Sequence, residues 1–79
     1  MEAQEEVQKT VEMGTYHWGI ILRFNHEITE QFFYEMASLT GPKSRYTENT
    51  MYLDARGEYQ LWNIRGKLRV KNYEITEAN

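Results

Sequence analysis

The sequence predicts an α+β domain in which a four-stranded antiparallel sheet carries one packed helix, with an acidic N-terminal helix or arm beside it. Three features indicate this class: a segment with alternating apolar residues, a capped helical segment after it, and two glycine-containing turns in the C-terminal half. A chain of 79 residues leaves room for one hydrophobic core and rules out a second. We therefore expect a single domain over 14–79, preceded by the acidic segment 1–13.

The N-terminal segment 1–13 has a thin apolar stripe. Ala3, Val7 and Val11 are spaced four residues apart with glutamates elsewhere in the segment, which predicts a helix or a frayed arm. Gly14 is expected to end this segment.

Segment 17–24 is the clearest predicted strand. Every second residue of the segment is apolar, so one face of the strand is entirely apolar. Ile21 makes the other face partly apolar as well, which indicates that the strand lies in the middle of the sheet. The side expected to face the core consists of Trp18, Ile20, Leu22 and Phe24.

A helix is predicted from Glu30 to about Thr40. Thr29 has the chemistry of an N-cap, with Ile28 and Phe33 spaced for a hydrophobic staple, and glycine and proline at 41–42 stop the helix. Its core face is expected to contain Phe32, Phe33, Met36 and Leu39.

Segment 50–75 is predicted to be a three-stranded β-meander. Its two turns, 54–57 and 63–66, each begin with Asp or Asn and end with Gly, as in a type I turn closed by a left-handed glycine. The register that keeps the apolar residues together gives a core face of Met51, Leu53, Tyr59, Leu61, Leu68 and Val70.

The other face of this meander would be unusually aromatic and basic, and it is the candidate binding surface. It would present Tyr52, Gln60, Trp62, Arg69, Lys71 and Tyr73. Trp, Tyr and Arg are enriched among the anchors of protein interfaces, while the same rings and bases could stack nucleobases and contact phosphates. In a third interpretation the N-terminal segment covers this face, and the aromatic side chains are internal.

No motif in the chain supports catalysis. His26 and Glu27 match the start of a zinc-protease helix, but Glu30 stands where the second histidine is required. Pro42 replaces the glycine that a phosphate loop requires before its lysine, and Ser44 has no histidine–aspartate pair to activate it. The absence of cysteine excludes disulfides and zinc sites with sulfur ligands. We therefore expect no enzyme, no catalytic residue, no metal and no cofactor.

Charge and hydropathy disfavour a nucleic-acid partner and a membrane. The net charge of −3 is divided into −5 for residues 1–40 and +2 for residues 41–79, and the acidic half disfavours a polyanionic partner. No apolar run approaches the ~20 residues of a membrane span, and the four glutamates of segment 1–13 are unlike a signal peptide, so we expect a cytoplasmic protein that binds no membrane.

The expected function is a small non-catalytic module that binds a larger protein. One such module would be an inhibitor encoded by a phage or mobile element. It would act in the host cytoplasm by steric occlusion of a host or defence protein, as anti-CRISPR proteins do. The alternative is a single-stranded nucleic-acid-binding protein that uses the same aromatic and basic face. Homodimerisation through this face is a third hypothesis.

Overall fold

The computed structural model describes residues 9–78, which form two layers of α+β architecture. In this range, five strands form one sheet and two helices pack on one of its faces. The elements are, in chain order, β1 (Lys9–Tyr16), β2 (Gly19–Phe24), α1 (Glu30–Ala37), β3 (Arg45–Thr47), β4 (Thr50–Leu53), α2 (Glu58–Val70) and β5 (Tyr73–Glu77). None of the helices in residues 9–78 is long and apolar enough to cross a membrane.

The sheet is mixed, with the strand order β3-β4-β2-β1-β5. Neighbouring strands are antiparallel except for β1 and β5, which run parallel. The α+β class is confirmed and β2 is central as predicted. The prediction of four antiparallel strands is wrong in detail, because β1, β3 and β5 join β2 and β4 in the sheet, β1 and β5 are parallel, and α2 replaces part of the meander.

Residues 9–13 belong to β1 and not to a helix. Val11 and Met13 point into the core from alternate positions, opposite Phe24 and Leu22 of β2. Strand β1 continues through Gly14 to Tyr16, so the expected boundary between residues 13 and 14 falls inside a strand. The part of the N-terminal prediction that concerns residues 1–8 lies outside the described residues.

Helix α1 begins where the sequence predicts and ends earlier. The Oγ1 atom of Thr29 accepts a hydrogen bond from the backbone N–H of Phe32 at 3.1 Å, which confirms the N-cap. The helix ends at Ala37, with Ser38 as its C-cap, so residues 38–40 lie beyond it. Phe33 and Met36 are buried, and the predicted core face is confirmed at these positions.

Helix α2 occupies the segment in which the sequence predicted the second and third strands of the meander. Ile64 and Leu68 are four residues apart and both are fully buried, which is the spacing of one helix face. Gly57 has the positive φ expected of a glycine at this position, 96°, but its ψ is 153° and it is the N-cap of α2, so it does not close the predicted left-handed turn of a meander. Gly66 lies inside the helix, and the second turn does not form.

One core cluster joins the sheet to both helices. Several predicted core residues are buried in it, including Ile20, Leu22, Phe24, Met51, Leu53 and Leu68. Three predicted members are instead largely exposed, because Trp18 lies in the turn between β1 and β2 and because Tyr59 and Val70 lie on the outer face of α2.

Candidate interaction surface on helix α2

The structure separates the six side chains that were predicted to share a face of the sheet. A shared face required residues 58–70 to be extended, and this segment is α2, so that part of the prediction is wrong. Tyr52 lies on β4, Gln60, Trp62 and Arg69 lie on α2, Lys71 is the C-cap of α2, and Tyr73 lies on β5. Their role in binding stays a prediction, and the surroundings of each residue differ.

Tyr52 lies on the sheet face that α1 and α2 leave uncovered. It alternates along β4 with the buried residues Met51 and Leu53, which face the helices. The guanidinium of Arg45 lies 4.4 Å from the centroid of the Tyr52 ring. Tyr52 is paired with Ile21 on the neighbouring strand β2. The sheet therefore separates Tyr52 from the candidate residues on α2.

Tyr73 is a core residue. The residue is 9% exposed, and its ring packs against the rings of Phe24 and Phe32 with centroid distances of 5.2 and 5.9 Å. This burial raises the pKa of the Tyr73 hydroxyl, because the charged phenolate would lose its hydration. A buried ring of this kind is not available to stack on a nucleobase.

The hydroxyl of Tyr73 is hydrogen-bonded to His26, the histidine that matches the start of a zinc-protease helix in the sequence. Nδ1 of His26 lies 2.9 Å from the carbonyl oxygen of Glu27. Because a carbonyl only accepts, Nδ1 carries the proton, and Nε2 accepts a hydrogen bond from the hydroxyl of Tyr73. Both ring nitrogens of His26 therefore have protein partners, and residues 9–78 contain no group of three side chains that could hold a metal ion.

Gln60 and Lys71 connect the two helices. The side-chain amide of Gln60 donates to the backbone carbonyl of Leu39, just beyond α1, at 3.2 Å. At the other end of α2, the ammonium of Lys71 forms an ion pair of 3.0 Å with Glu35 of α1. These contacts give both side chains a role in positioning α2.

Trp62 is directed outward from the domain, in contrast to these two residues. Trp62 is 60% exposed, and Tyr59 and Val70 on the same helix are 79% and 80% exposed. With 100° between successive residues, positions 59, 62, 66 and 70 lie on one side of the helix, opposite the buried side chains of Ile64 and Leu68. Tyr59, Trp62, Gly66 and Val70 define what we call the α2 stripe.

A groove lies beside the C-terminal half of the stripe, between α2 and α1. Its volume is about 620 Å³, and its lining includes Leu39, Val70 and Lys67. Gly66 also lines it, and a Cβ atom at that position would have no neighbour within 4 Å. The missing side chain therefore leaves a recess in the middle of an otherwise bulky apolar stripe.

Basic side chains flank the α2 stripe on both sides. Helix α2 and its C-cap contain four basic residues and only one acid, Glu58. The guanidinium of Arg65 lies 5.8 Å from the Trp62 ring centroid and is bound to Glu77 at 2.5 Å. Lys67 donates to the backbone carbonyl of Glu35 at 3.1 Å. Among the described residues, neither Lys67 nor Arg69 has a carboxylate partner, so the positive charge around the stripe is incompletely neutralised.

A second exposed tryptophan lies in the turn between β1 and β2. Cationic groups of Lys43 and Arg56 lie 5.4 and 5.0 Å from the ring centroid of Trp18. Trp18 therefore already makes cation–π contacts within the domain. Arg56 also lies 3.7 Å from a carboxylate oxygen of Asp54. Trp18 therefore serves as a comparison for Trp62.

Sequence reasoning missed Tyr59 and Val70 as surface residues, because both fitted the core face of a meander. The available signal was the spacing of Leu61, Ile64 and Leu68, which are three and four residues apart. This spacing predicts a helix whose opposite side carries Tyr59 and Val70.

Comparison of the chain with protein-family models, curated proteins and solved structures gave no significant match. The class that the fold and surface define is a small α+β domain with an exposed aromatic helix face. Any functional conclusion for this domain is based on the chemistry of its own side chains.

Proposed function

We propose that this protein is a non-catalytic module that binds a larger protein through the α2 stripe. The observation that carries the proposal is the exposure of three large apolar side chains, Tyr59, Trp62 and Val70, on one side of one helix. Single exposed apolar residues are common on soluble domains, whereas a contiguous group with basic neighbours is typical of an interface.

Trp62 is the anchor of the proposed interface. Tryptophan, tyrosine and arginine dominate the energetically important positions of protein interfaces, and Tyr59 and Arg69 lie on the same helix as Trp62. Burial of Trp62 would desolvate a large ring at little cost in side-chain entropy, so truncation of this residue is expected to cost about 2 kcal/mol or more in binding.

Steric occlusion is the proposed mode of action. The side chains of the stripe contribute area and the bases beside it contribute charge, but together they include no paired acid and base with which to act on a partner. We propose that the domain covers a functional surface of the larger protein in the cytoplasm, as an inhibitor encoded by a phage or mobile element would.

Affinity capture with matched tryptophan variants tests this proposal. The tagged chain, Trp62→Ala and Trp18→Ala are used to capture proteins from lysate, and mass spectrometry identifies proteins enriched by the unmodified chain. Loss of enrichment with Trp62→Ala and retention with Trp18→Ala is expected, provided that circular dichroism shows both variants folded. The opposite pattern would assign the binding surface to the turn between β1 and β2 and contradict the proposal.

The single-stranded nucleic-acid alternative depended on three rings that formed one stacking platform. In the structure, Tyr73 is buried and the sheet lies between Tyr52 and Trp62, so the platform does not form. Nucleic-acid binding is therefore a competing outcome in the experiments on the stripe.

A further inference from the structure

We infer that the α2 stripe binds an acidic amphipathic helix of its protein partner. This inference depends on the proposed function and adds the chemistry of the segment that occupies the site. It follows from the length of the stripe, the recess at Gly66 and the distribution of charge around the stripe.

The length of the stripe suits a short helix. Tyr59 and Val70 are eleven residues apart on α2, which corresponds to about 16 Å along the axis at 1.5 Å per residue. A partner helix of three turns spans the same distance and presents apolar side chains at i, i+3, i+4 and i+7. Such a helix can therefore contact the stripe from end to end.

The recess at Gly66 gives the stripe a complementary shape. Tyr59 and Trp62 are bulky and Val70 is smaller, while Gly66 between them leaves space in the groove beside Leu39. A leucine or phenylalanine of a partner helix can enter this space, as a ridge of side chains enters a groove in helix packing. The stripe thus offers a position for one central apolar side chain.

The charges on both sides of the stripe favour carboxylates. Helical geometry places Lys67 on one side and Arg69 on the other. The other two bases of α2 and its C-cap are paired, Arg65 with Glu77 and Lys71 with Glu35. Among the bases of α2 and its C-cap, the two without a carboxylate partner in residues 9–78 are therefore the two that flank the apolar surface. A helix with acids on both sides of its apolar stripe would complement them.

A protein helix fits these observations better than a nucleic acid does. Two of the residues that line the groove, Leu39 and Val70, offer no hydrogen bond to phosphate but can pack against an apolar side chain of a partner helix. Nucleic-acid affinity depends mainly on neutralised phosphates, and the site offers two bases without carboxylate partners. The same two charges suffice to orient an acidic helix on an apolar surface.

Two designed peptides test the inference. Both are helical, about 18 residues long, and share one apolar stripe, but one has glutamates and the other has lysines beside that stripe. Binding is followed by the fluorescence of Trp62 in a Trp18→Phe background, in which Trp62 is the only tryptophan. The acidic peptide is expected to bind at least about tenfold more tightly than the basic peptide.

Charge reversal provides the decisive comparison. The double variant Lys67→Glu/Arg69→Glu is expected to reverse the preference between the peptides. Arg23→Glu, on the sheet face that the helices leave uncovered, should leave the order of affinities unchanged. Gly66→Leu fills the recess and should weaken the acidic peptide about tenfold.

Other outcomes separate failure of the inference from failure of the proposed function. If neither peptide binds while lysate capture still depends on Trp62, the acidic-helix inference is wrong and the proposed function stands. If capture does not depend on Trp62, the proposed function fails. Tight binding of oligo(dT) that requires Lys67 and Arg69 and weakens steeply with salt would overturn the inference in favour of nucleic acid.

Discussion

Substitution of Leu68 and Val70 by alanine tests the assignment of residues 58–70 to a helix. In the meander predicted from the sequence, both side chains face the core, because residues two apart in a strand share a face. In α2 they diverge: Leu68 is fully buried and Val70 is 80% exposed. Leu68→Ala should therefore lower the free energy of unfolding strongly, whereas Val70→Ala should change it little.

The expected cost of Leu68→Ala follows from its complete burial. Removal of a fully buried leucine side chain costs about 2.7–5.0 kcal/mol, depending on how far the surrounding core collapses. A domain of this size is expected to have a free energy of unfolding of about 4–12 kcal/mol, so the variant loses a third or more of a mid-range value. Val70→Ala should change stability by no more than about 0.5 kcal/mol, because little area is lost and alanine favours a helix.

Thermal and urea denaturation, followed by circular dichroism, measures both effects. A loss of 3 kcal/mol in Leu68→Ala corresponds to a fall in Tm of roughly 12–24 °C, whereas Val70→Ala should melt within about 4 °C of the unmodified protein. Similar and large losses in both variants would refute the helical assignment and restore the meander. Equal m-values in urea would show that the comparison concerns stability and not a change in the unfolded state.

Three further predictions concern the rest of the fold. Gly66→Ala should stabilise the domain by about 0.5–1 kcal/mol in urea denaturation, because the new Cβ meets no neighbour and glycine is unfavourable inside a helix; destabilisation would indicate a left-handed turn. Thr29→Ala should cost about 1 kcal/mol in the same assay, since the N–H of Phe32 loses its acceptor, and an unchanged midpoint would contradict the cap. Burial raises the pKa of Tyr73 above its ordinary value of 10.0, so the phenolate is disfavoured in the folded state and stability should fall as the pH rises above 10.0. Tyr73→Phe should show a shallower alkaline decline, and an identical pH dependence would contradict this linkage.

Local sequence signals were sufficient to predict an element when its own residues included a capping residue, a terminating residue or a regular apolar periodicity. Helix α1 has a capping threonine, a buried face and a glycine–proline stop, and strand β2 has an unbroken alternation. Segments 54–57 and 63–66 show the limit of such signals, because they have nearly the same turn chemistry but different structures. Gly57 adopts a positive φ, whereas Gly66 is helical because Ile64 and Leu68 gain burial against distant strands. Tertiary packing decided between two local alternatives.

The candidate site was predicted in part, for similar reasons. Residue type alone identified Trp62 and Arg69, and both lie on the outer side of α2. Tyr73 has the same chemistry as an interface tyrosine, but Phe24 and Phe32 from other elements bury it. The parallel pairing of β5 with β1, which brings Tyr73 under α1, joins residues more than sixty positions apart and left no periodic pattern in the sequence.

The central claim is that the outer face of α2 is the binding surface, and site-specific photo-crosslinking tests it most directly. A photoreactive phenylalanine analogue is placed at position 62 or, as a control, at position 23, whose exposed arginine lies on the uncovered face of the sheet. After irradiation in cells, position 62 is expected to give a discrete protein adduct that disappears when Lys67 and Arg69 are reversed to glutamate, and position 23 should give none. A discrete protein adduct from position 23, with none from position 62, would contradict the claim.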